Sequence, residues 1–118
     1  MASKYVLWFN PRCSTCRHAL EILQQRGIEP ELRRYLETPP TIPEIRDLLR
    51  KLGQAPHEIM RAKEDEYQAL RLSERTAEDE LVQQMSAHPI LIQRPIFIAG
   101  DRALVARPAE RVLELLEP

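Results

Sequence analysis

Two cysteines, Cys13 and Cys16, stand three residues apart between a predicted strand and a predicted helix. The run KYVLWF at residues 4–9 is rich in aromatic and β-branched side chains and ends at the turn pair Asn10–Pro11, so it predicts a strand. From Ser14 to Arg26 the apolar residues recur at helical spacing. A C-x-x-C pair at a strand-to-helix junction is typical of thiol-redox chemistry. This junction therefore constrains the fold and the function together.

The residues that follow extend this junction into a β-α-β unit. Glu31–Leu36 predicts a second strand, and the crossover between the two strands should be right-handed. After a proline-rich break, Thr41 predicts the N-cap of a helix that runs to about Leu52, with Gly53 at its end. Residues 55–88 are strongly charged and have a helical pattern without a run of strand formers, and Thr76 indicates a further helix start.

The last third of the chain changes character again. Ile96–Ala99 and Arg102–Ala106 predict two short strands, joined at Gly100–Asp101 by a two-residue hairpin turn. Pro108 then predicts the first position of a final helix, Ala109–Leu116. The order is β-α-β, a block of helices, and β-β-α. It predicts an α/β protein with a thioredoxin-like fold, in which a four-stranded mixed sheet carries a helical insertion between its two halves.

Composition places the chain among ordinary globular proteins. Its 118 residues fit a single domain over 1–118, large enough to bury a core without metals or disulfides. A net charge of -1 gives no electrostatic reason to expect binding to nucleic acid or to an anionic membrane. We find neither a signal peptide nor a membrane-spanning run, and we expect a cytoplasmic protein whose thiols stay reduced.

The position of Cys13 predicts a reactive thiolate. Unpaired backbone N–H groups and the helix dipole stabilise negative charge at a helix N-terminus, so we expect the pKa of this thiol to be lowered. Arg12 and Arg17 would act in the same direction. Cys16 is near enough to form a disulfide with Cys13, which makes it the candidate resolving thiol.

Two other interpretations of the cysteine pair remain open. A zinc site would need both thiols and two of the histidines His18, His57 and His88. Neither an H-x-x-x-H spacing nor a second C-x-x-C pair is present, so we predict no metal. The pair could also be two incidental buried thiols, although its place at a strand-to-helix turn favours redox chemistry.

The same loop is suited to hold an oxyanion. Ser14, Thr15 and Cys16 offer backbone N–H groups at a helix start, which bind anions well. Cationic partners must come from elsewhere in the chain. Arg94 and Arg107 each precede a proline at a strand end, and the proline keeps each of them out of helical geometry. We therefore take both as candidate anion ligands.

Four segments in order resemble one known family. NPRCSTC, YLETPPT, HPILIQRPI and VARPAE span nearly the whole chain and are similar to the glutaredoxin-linked arsenate reductase (ArsC) family. By that resemblance Cys13 is the catalytic cysteine. The resemblance further implies that three arginines hold the oxyanion, namely Arg61, Arg94 and Arg107.

The resemblance also implies the chemistry around these residues. Pro95 matches the proline that is cis in thioredoxin-like folds, and Asn10 is a structural residue beside the site. Arsenate or another small oxyanion is the implied substrate. The family uses no bound cofactor, and it implies glutathione as co-substrate with glutaredoxin or thioredoxin as the reductant.

Two positions depart from the family and leave alternatives open. Phe9 stands where these reductases usually carry a histidine, and Cys16 is a second cysteine where one usually suffices. A C-x-x-C pair is more similar to the Spx-type regulators of the same superfamily, which bind RNA polymerase. The leading interpretation is a thiol-dependent arsenate reductase. The alternatives are a general thiol-disulfide reductase without arsenate activity and a redox-switched regulator.

Overall fold

The structure is a computed structural model of the chain and describes residues 4–116. It divides into two units. One contains the described residues up to Tyr35 together with those from Arg94 onward, and the other is Leu36–Gln93. The assignment of residues 1–118 to one domain stays a prediction.

The first unit contains a four-stranded mixed sheet and one long helix. Its elements are β1 (Tyr5–Trp8), α1 (Ser14–Gln25), β2 (Glu31–Arg33), β3 (Ile96–Ala99) and β4 (Arg102–Val105). The strand order is β2-β1-β3-β4, in which β1 is parallel to β2 and antiparallel to β3, and β4 is antiparallel to β3. This arrangement confirms the predicted α/β, thioredoxin-like fold.

The core of the first unit fixes where α1 begins. The helix buries Cys16, Ala19 and Leu23, which recur at helical spacing, in one cluster with Leu7 of β1 and Phe97 of β3. A 3-10 helix near the C-terminus also packs against α1. Because β1 and α1 share this core, the short loop between them is held at both ends.

Most element ends in this unit lie close to their predicted positions. β3 has the predicted bounds, and its turn into β4 contains Gly100 at a φ of +62°. β2 is shorter than the predicted Glu31–Leu36. It is an edge strand, with β1 as its neighbour in the sheet. The last helix, predicted over Ala109–Leu116, is a 3-10 helix over Ala109–Leu115 that Pro108 precedes as N-cap.

The second unit is helical. It contains α2 (Ile42–Leu52), a 3-10 helix (Pro56–Ile59), α3 (Asp65–Ala69), α4 (Glu78–Ala87) and a second 3-10 helix (Pro89–Leu91). The predicted cap of α2 is present as a capping box, in which the Thr41 hydroxyl accepts from the Glu44 N–H at 3.2 Å and the Glu44 carboxylate accepts from the Thr41 N–H at 3.0 Å. Gly53 ends the helix at a φ of +66°.

The start of α4 differs from the prediction. Ala77 is the N-cap, and the hydroxyl of Thr76 instead accepts a hydrogen bond from the backbone N–H of Ser73 at 2.9 Å, inside the preceding turn. Thr76 therefore stabilises the turn that leads into α4 rather than the helix itself. α2 and α4 pack against each other with Leu48 and Leu81 buried.

No helix within residues 4–116 combines the length and the apolar character that crossing a membrane requires.

Candidate active site

The loop from β1 to α1 is organised around Asn10. Its side-chain oxygen accepts from the Arg12 N–H at 3.0 Å, and its backbone carbonyl accepts from the Cys13 N–H at 3.0 Å. An asparagine that bonds to the backbone two residues on forms a tight Asx turn. The Arg17 guanidinium closes the loop from the helix side by donating to the Pro11 carbonyl at 2.8 Å. These contacts set Cys13 at the N-cap of α1 with extended backbone.

The environment of Cys13 favours the thiolate. Partial burial raises the pKa of this thiol, but the Cys16 backbone N–H, the Cys16 thiol, the positive charge of Arg94 and the Thr15 backbone N–H outweigh it and lower the pKa below its ordinary value. Neither the Thr15 N–H nor the Cys16 N–H forms a capping hydrogen bond of ordinary geometry with the Cys13 side chain. Cys13 is half-buried, unlike the fully buried Cys16.

Cys16 has the opposite environment. Its side chain is fully buried in the core of the first unit, and this burial, together with the thiol and charge of Cys13, raises the pKa of Cys16 to about 12. Two contributions oppose the rise: the backbone N–H of Asn10 and the charge of Arg94. Cys16 is therefore a neutral thiol near neutral pH, placed to donate a hydrogen bond to the Cys13 sulfur.

Arg94 and Arg107 lie together at the ends of β3 and β4. The Arg107 guanidinium donates to the Arg94 carbonyl at 2.9 Å, and the Ala106 N–H donates to the Pro95 carbonyl at 2.9 Å. The Arg94–Pro95 peptide bond is cis, and so is the bond from Arg107 to Pro108. Within residues 4–116, Arg94 Nε is buried and has no hydrogen-bond partner. A buried cationic N–H without an acceptor is costly.

Arg61 lies in the second unit, between the Pro56–Ile59 helix and α3. Its backbone N–H donates to the Leu91 carbonyl at 2.7 Å, and its guanidinium reaches the Ile90 carbonyl at 3.5 Å. The other guanidinium nitrogen contacts the Glu64 carboxylate at 2.6 Å. Arg61 is thus a well-positioned cation that already has an acidic partner.

Within the first unit the structure brings together the predicted Asn10, Cys13, Ser14, Thr15, Cys16, Arg94, Pro95 and Arg107. The charge that favours the Cys13 thiolate comes from Arg94, whereas Arg17, predicted for that role, holds the Pro11 carbonyl. Sequence reasoning missed Glu64, whose only sequence signal is an acid three residues after Arg61.

Within residues 4–116, no three side chains of His, Cys, Asp or Glu lie close enough together to hold a metal ion.

Comparison with known proteins gives a consistent result. Residues 8–115 match the ArsC family. The chain is 42% identical to the uncharacterized protein YfgD of Escherichia coli (strain K12), over 98% of this chain and 99% of that protein. It is 41% identical to an arsenate reductase of Neisseria meningitidis (serogroup A), over 93% of this chain and 96% of that enzyme.

A solved structure matches to a similar extent. The arsenate reductase from Vibrio cholerae superposes with a TM-score of 0.92 at 39% identity, covering 98% of this chain and all (100%) of that one. The matches in sequence and in structure therefore extend over both units of the chain.

Proposed function

The chain belongs to the ArsC family, and on that basis we propose that it is a thiol-dependent oxidoreductase that reduces arsenate to arsenite. The observation that carries the proposal is the Cys13 thiol at the start of α1, with its lowered pKa and the charge of Arg94 acting on it. A thiolate beside a cation and helix N–H groups is suited to attack an anionic electrophile.

The reaction begins with Cys13. Its thiolate attacks the arsenic atom, a sulfur–arsenic bond forms, and one arsenate oxygen leaves as water after protonation. A second thiolate then attacks the Cys13 sulfur. The sulfur–arsenic bond breaks with its electron pair remaining on arsenic, so As(V) becomes As(III), and the two sulfurs are left as a disulfide.

The arginines offset the charge of the oxyanion. The positive charge of Arg94 acts on Cys13, and the Arg107 guanidinium is held against the Arg94 backbone. Cations placed where negative charge gathers lower the barrier to attack on an anion. Arg61 enters the proposal through the sequence resemblance, as a third ligand of the oxyanion. The N–H groups of Ser14 and Thr15 add donors at the helix start.

The second thiol is glutathione in the leading form of the proposal, with glutaredoxin or thioredoxin regenerating the enzyme. No cofactor is bound in this scheme, and the reaction takes place in the cytoplasm, where thiols stay reduced. Cys16 can serve in place of glutathione only after losing its proton, and burial makes that loss difficult near neutral pH. This favours an external thiol for the second attack.

One observation supports a second candidate function. Phe9 is buried beside the loop, and Cys16 lies three residues after Cys13, so the loop has the parts of a general thiol-disulfide reductase. Such an enzyme would attack a disulfide or glutathionylated protein with the same thiolate. It has no need for several arginines around the sulfur, and for that reason we rank it second.

The deciding experiment is arsenate-dependent oxidation of NADPH by the purified protein, coupled in one series to glutathione with glutaredoxin and in another to thioredoxin. We expect turnover in one of the two series and its loss in Cys13→Ser, because a serine oxygen cannot form the disulfide. Turnover that persists in Cys13→Ser would contradict the mechanism. Reduction of a model disulfide without any arsenate-dependent turnover would favour the second function instead.

A further inference from the structure

Asn10 bonds to the loop between β1 and α1 at three points. Its side-chain oxygen accepts from the Arg12 N–H at 3.0 Å, and its carbonyl accepts from the Cys13 N–H at 3.0 Å. Its own N–H is directed to the Cys16 sulfur. One half-buried residue therefore contacts both cysteines and the residue that precedes Cys13.

The residues on either side of this loop are fixed by the fold. Phe9 is buried, and its N–H donates to the Arg33 carbonyl at 2.8 Å, which continues the pairing of β1 with β2. On the helix side, the Arg17 N–H donates to the Cys13 carbonyl at 3.1 Å, as expected for the carbonyl of an N-cap residue. The path of the chain from Phe9 to Cys13 therefore depends on Asn10 and the two residues after it.

The side-chain bond is the contact that depends on which residue occupies position 10. Any residue there has a carbonyl, but only a short polar side chain can close a turn onto the N–H two residues on. Without that acceptor the Arg12 N–H would bond to water, and the turn would lose one of its ties. Cys13 is the N-cap, with a φ of -92° and a ψ of 120°. A change in the turn would therefore redirect the Cys13 sulfur relative to the N–H groups of the first helical turn.

We propose that Asn10 is a positioning residue that holds Cys13 at the start of α1 in the orientation in which its sulfur reacts. This role deepens the proposed function and rests on it, because it takes Cys13 to be the attacking thiolate. The Asn10 side chain acts through the Arg12 N–H rather than on the sulfur itself. The N–H groups of Thr15 and Cys16 lower the pKa of Cys13 most when the sulfur faces them, so loss of the turn should raise that pKa.

The test is the rate of Cys13 alkylation by iodoacetamide in the reduced protein, measured against pH. In Asn10→Ala the midpoint of the profile should move to higher pH. Below the wild-type midpoint, the rate should fall about threefold to tenfold, the effect of one lost hydrogen bond. The plateau at high pH should change by less than about twofold, because a fully formed thiolate stays reactive. Arg94 and Cys16, which also act on Cys13, are unchanged in this variant.

A second substitution separates positioning from a loss of stability. Asn10→Ser adds no charge and keeps a hydroxyl that can accept from the Arg12 N–H, although serine closes such turns more weakly. Its midpoint should lie between those of the wild type and Asn10→Ala. A merely structural role would lower the free energy of unfolding without moving the midpoint. Should Asn10→Ala fail to fold, Asn10→Gly takes its place, because it also lacks the acceptor.

The matched control is Gln25→Ala, which removes an exposed amide side chain at the other end of α1 and should keep the wild-type profile. A wild-type midpoint in Asn10→Ala would overturn the role of Asn10. A shift in Asn10→Ser as large as that in Asn10→Ala would also overturn it, since the acceptor would then not be the cause.

The failure of the proposed function looks different, because alkylation does not involve arsenate. A wild-type protein without arsenate turnover would refute the proposed function, while a raised midpoint in Asn10→Ala would still establish that Asn10 positions Cys13. In an active enzyme, arsenate turnover by Asn10→Ala should fall in the same proportion as its alkylation rate at the same pH. Unchanged turnover beside slowed alkylation would overturn the role of Asn10 in the reaction.

Discussion

The loop Asn10–Cys16 and the segment Arg61–Glu64 both contain charged groups, but the surroundings of those charges differ. In the loop, N–H groups, a neutral thiol and the charge of Arg94 all favour a negative sulfur at Cys13. In the segment, the Glu64 carboxylate lies 2.6 Å from the Arg61 guanidinium. The first region is prepared to hold an anionic sulfur, whereas in the second the charges of Arg61 and Glu64 largely cancel.

This difference indicates which contributions to an anion site are strong. An arginine without a carboxylate partner gains a full interaction when an anion arrives, because no ion pair must first be broken. An arginine in an ion pair gains only the difference between two partners. We therefore expect Arg94 to contribute more to binding and chemistry than Arg61, although the family resemblance treats them alike.

The largest effect on this comparison is expected from Arg94→Ala. Loss of the guanidinium removes a donor to the oxyanion and should reduce arsenate turnover about a hundredfold. It also removes a charge that lowers the pKa of Cys13, so that pKa should rise. The rate of Cys13 alkylation by iodoacetamide, measured against pH, should then require a higher pH to reach its midpoint.

The matched control for this change is Arg17→Ala, which removes an exposed arginine of α1 that holds the Pro11 carbonyl. Its alkylation midpoint should move less than that of Arg94→Ala. Equal shifts in the two variants would mean that any nearby cation lowers the pKa of Cys13, and the contrast between the two regions would lose its basis.

A smaller effect is expected from Cys16→Ala, which tests the neutral thiol in the loop. The variant removes one buried atom and should lower the free energy of unfolding by about 1 kcal/mol near neutral pH. The folded pKa of Cys16 is raised to about 12 from an ordinary 9.0, so this group stabilises the fold fully below pH 9.0 and progressively less as the pH rises toward 12.

Urea unfolding under reducing conditions at several pH values between 8 and 11 measures this loss. The wild-type protein should lose stability over that interval more steeply than Cys16→Ala. Cys13→Ser serves as the control and should keep most of the alkaline loss, because burial is the main cause of the raised Cys16 pKa. A Cys16→Ala protein with the wild-type slope would show that another group titrates.

The loop was predictable from sequence because its determinants are local. A strand, an Asx turn, a helix start and two cysteines follow one another within residues 5–16, and each has a recognisable pattern. The order of strands and helices then predicted the sheet, and the cap of α2 was predicted from Thr41 for the same reason. The predicted ends of the elements were less accurate where pairing with a neighbouring strand determines them, as at β2.

The contacts of the arginines were not predictable in this way. The charge of Arg94 acts on Cys13 because β3 pairs beside β1, and a pairing between distant segments leaves no local pattern. Glu64 was missed because a carboxylate three residues after an arginine is common on charged helical surfaces. Only the direction of its side chain and its burial distinguish it.

The smallest expected effect on the alkylation of Cys13 is that of replacing both members of the ion pair, Arg61→Ala with Glu64→Gln, and it is the sharpest test of the comparison. Since the charges of Arg61 and Glu64 largely cancel, removing both should leave the pH midpoint of alkylation unchanged, while Arg94→Ala raises it. An upward shift as large as that of Arg94→Ala would mean that Glu64 does not offset the charge of Arg61, and the contrast between the two regions would then lose its basis.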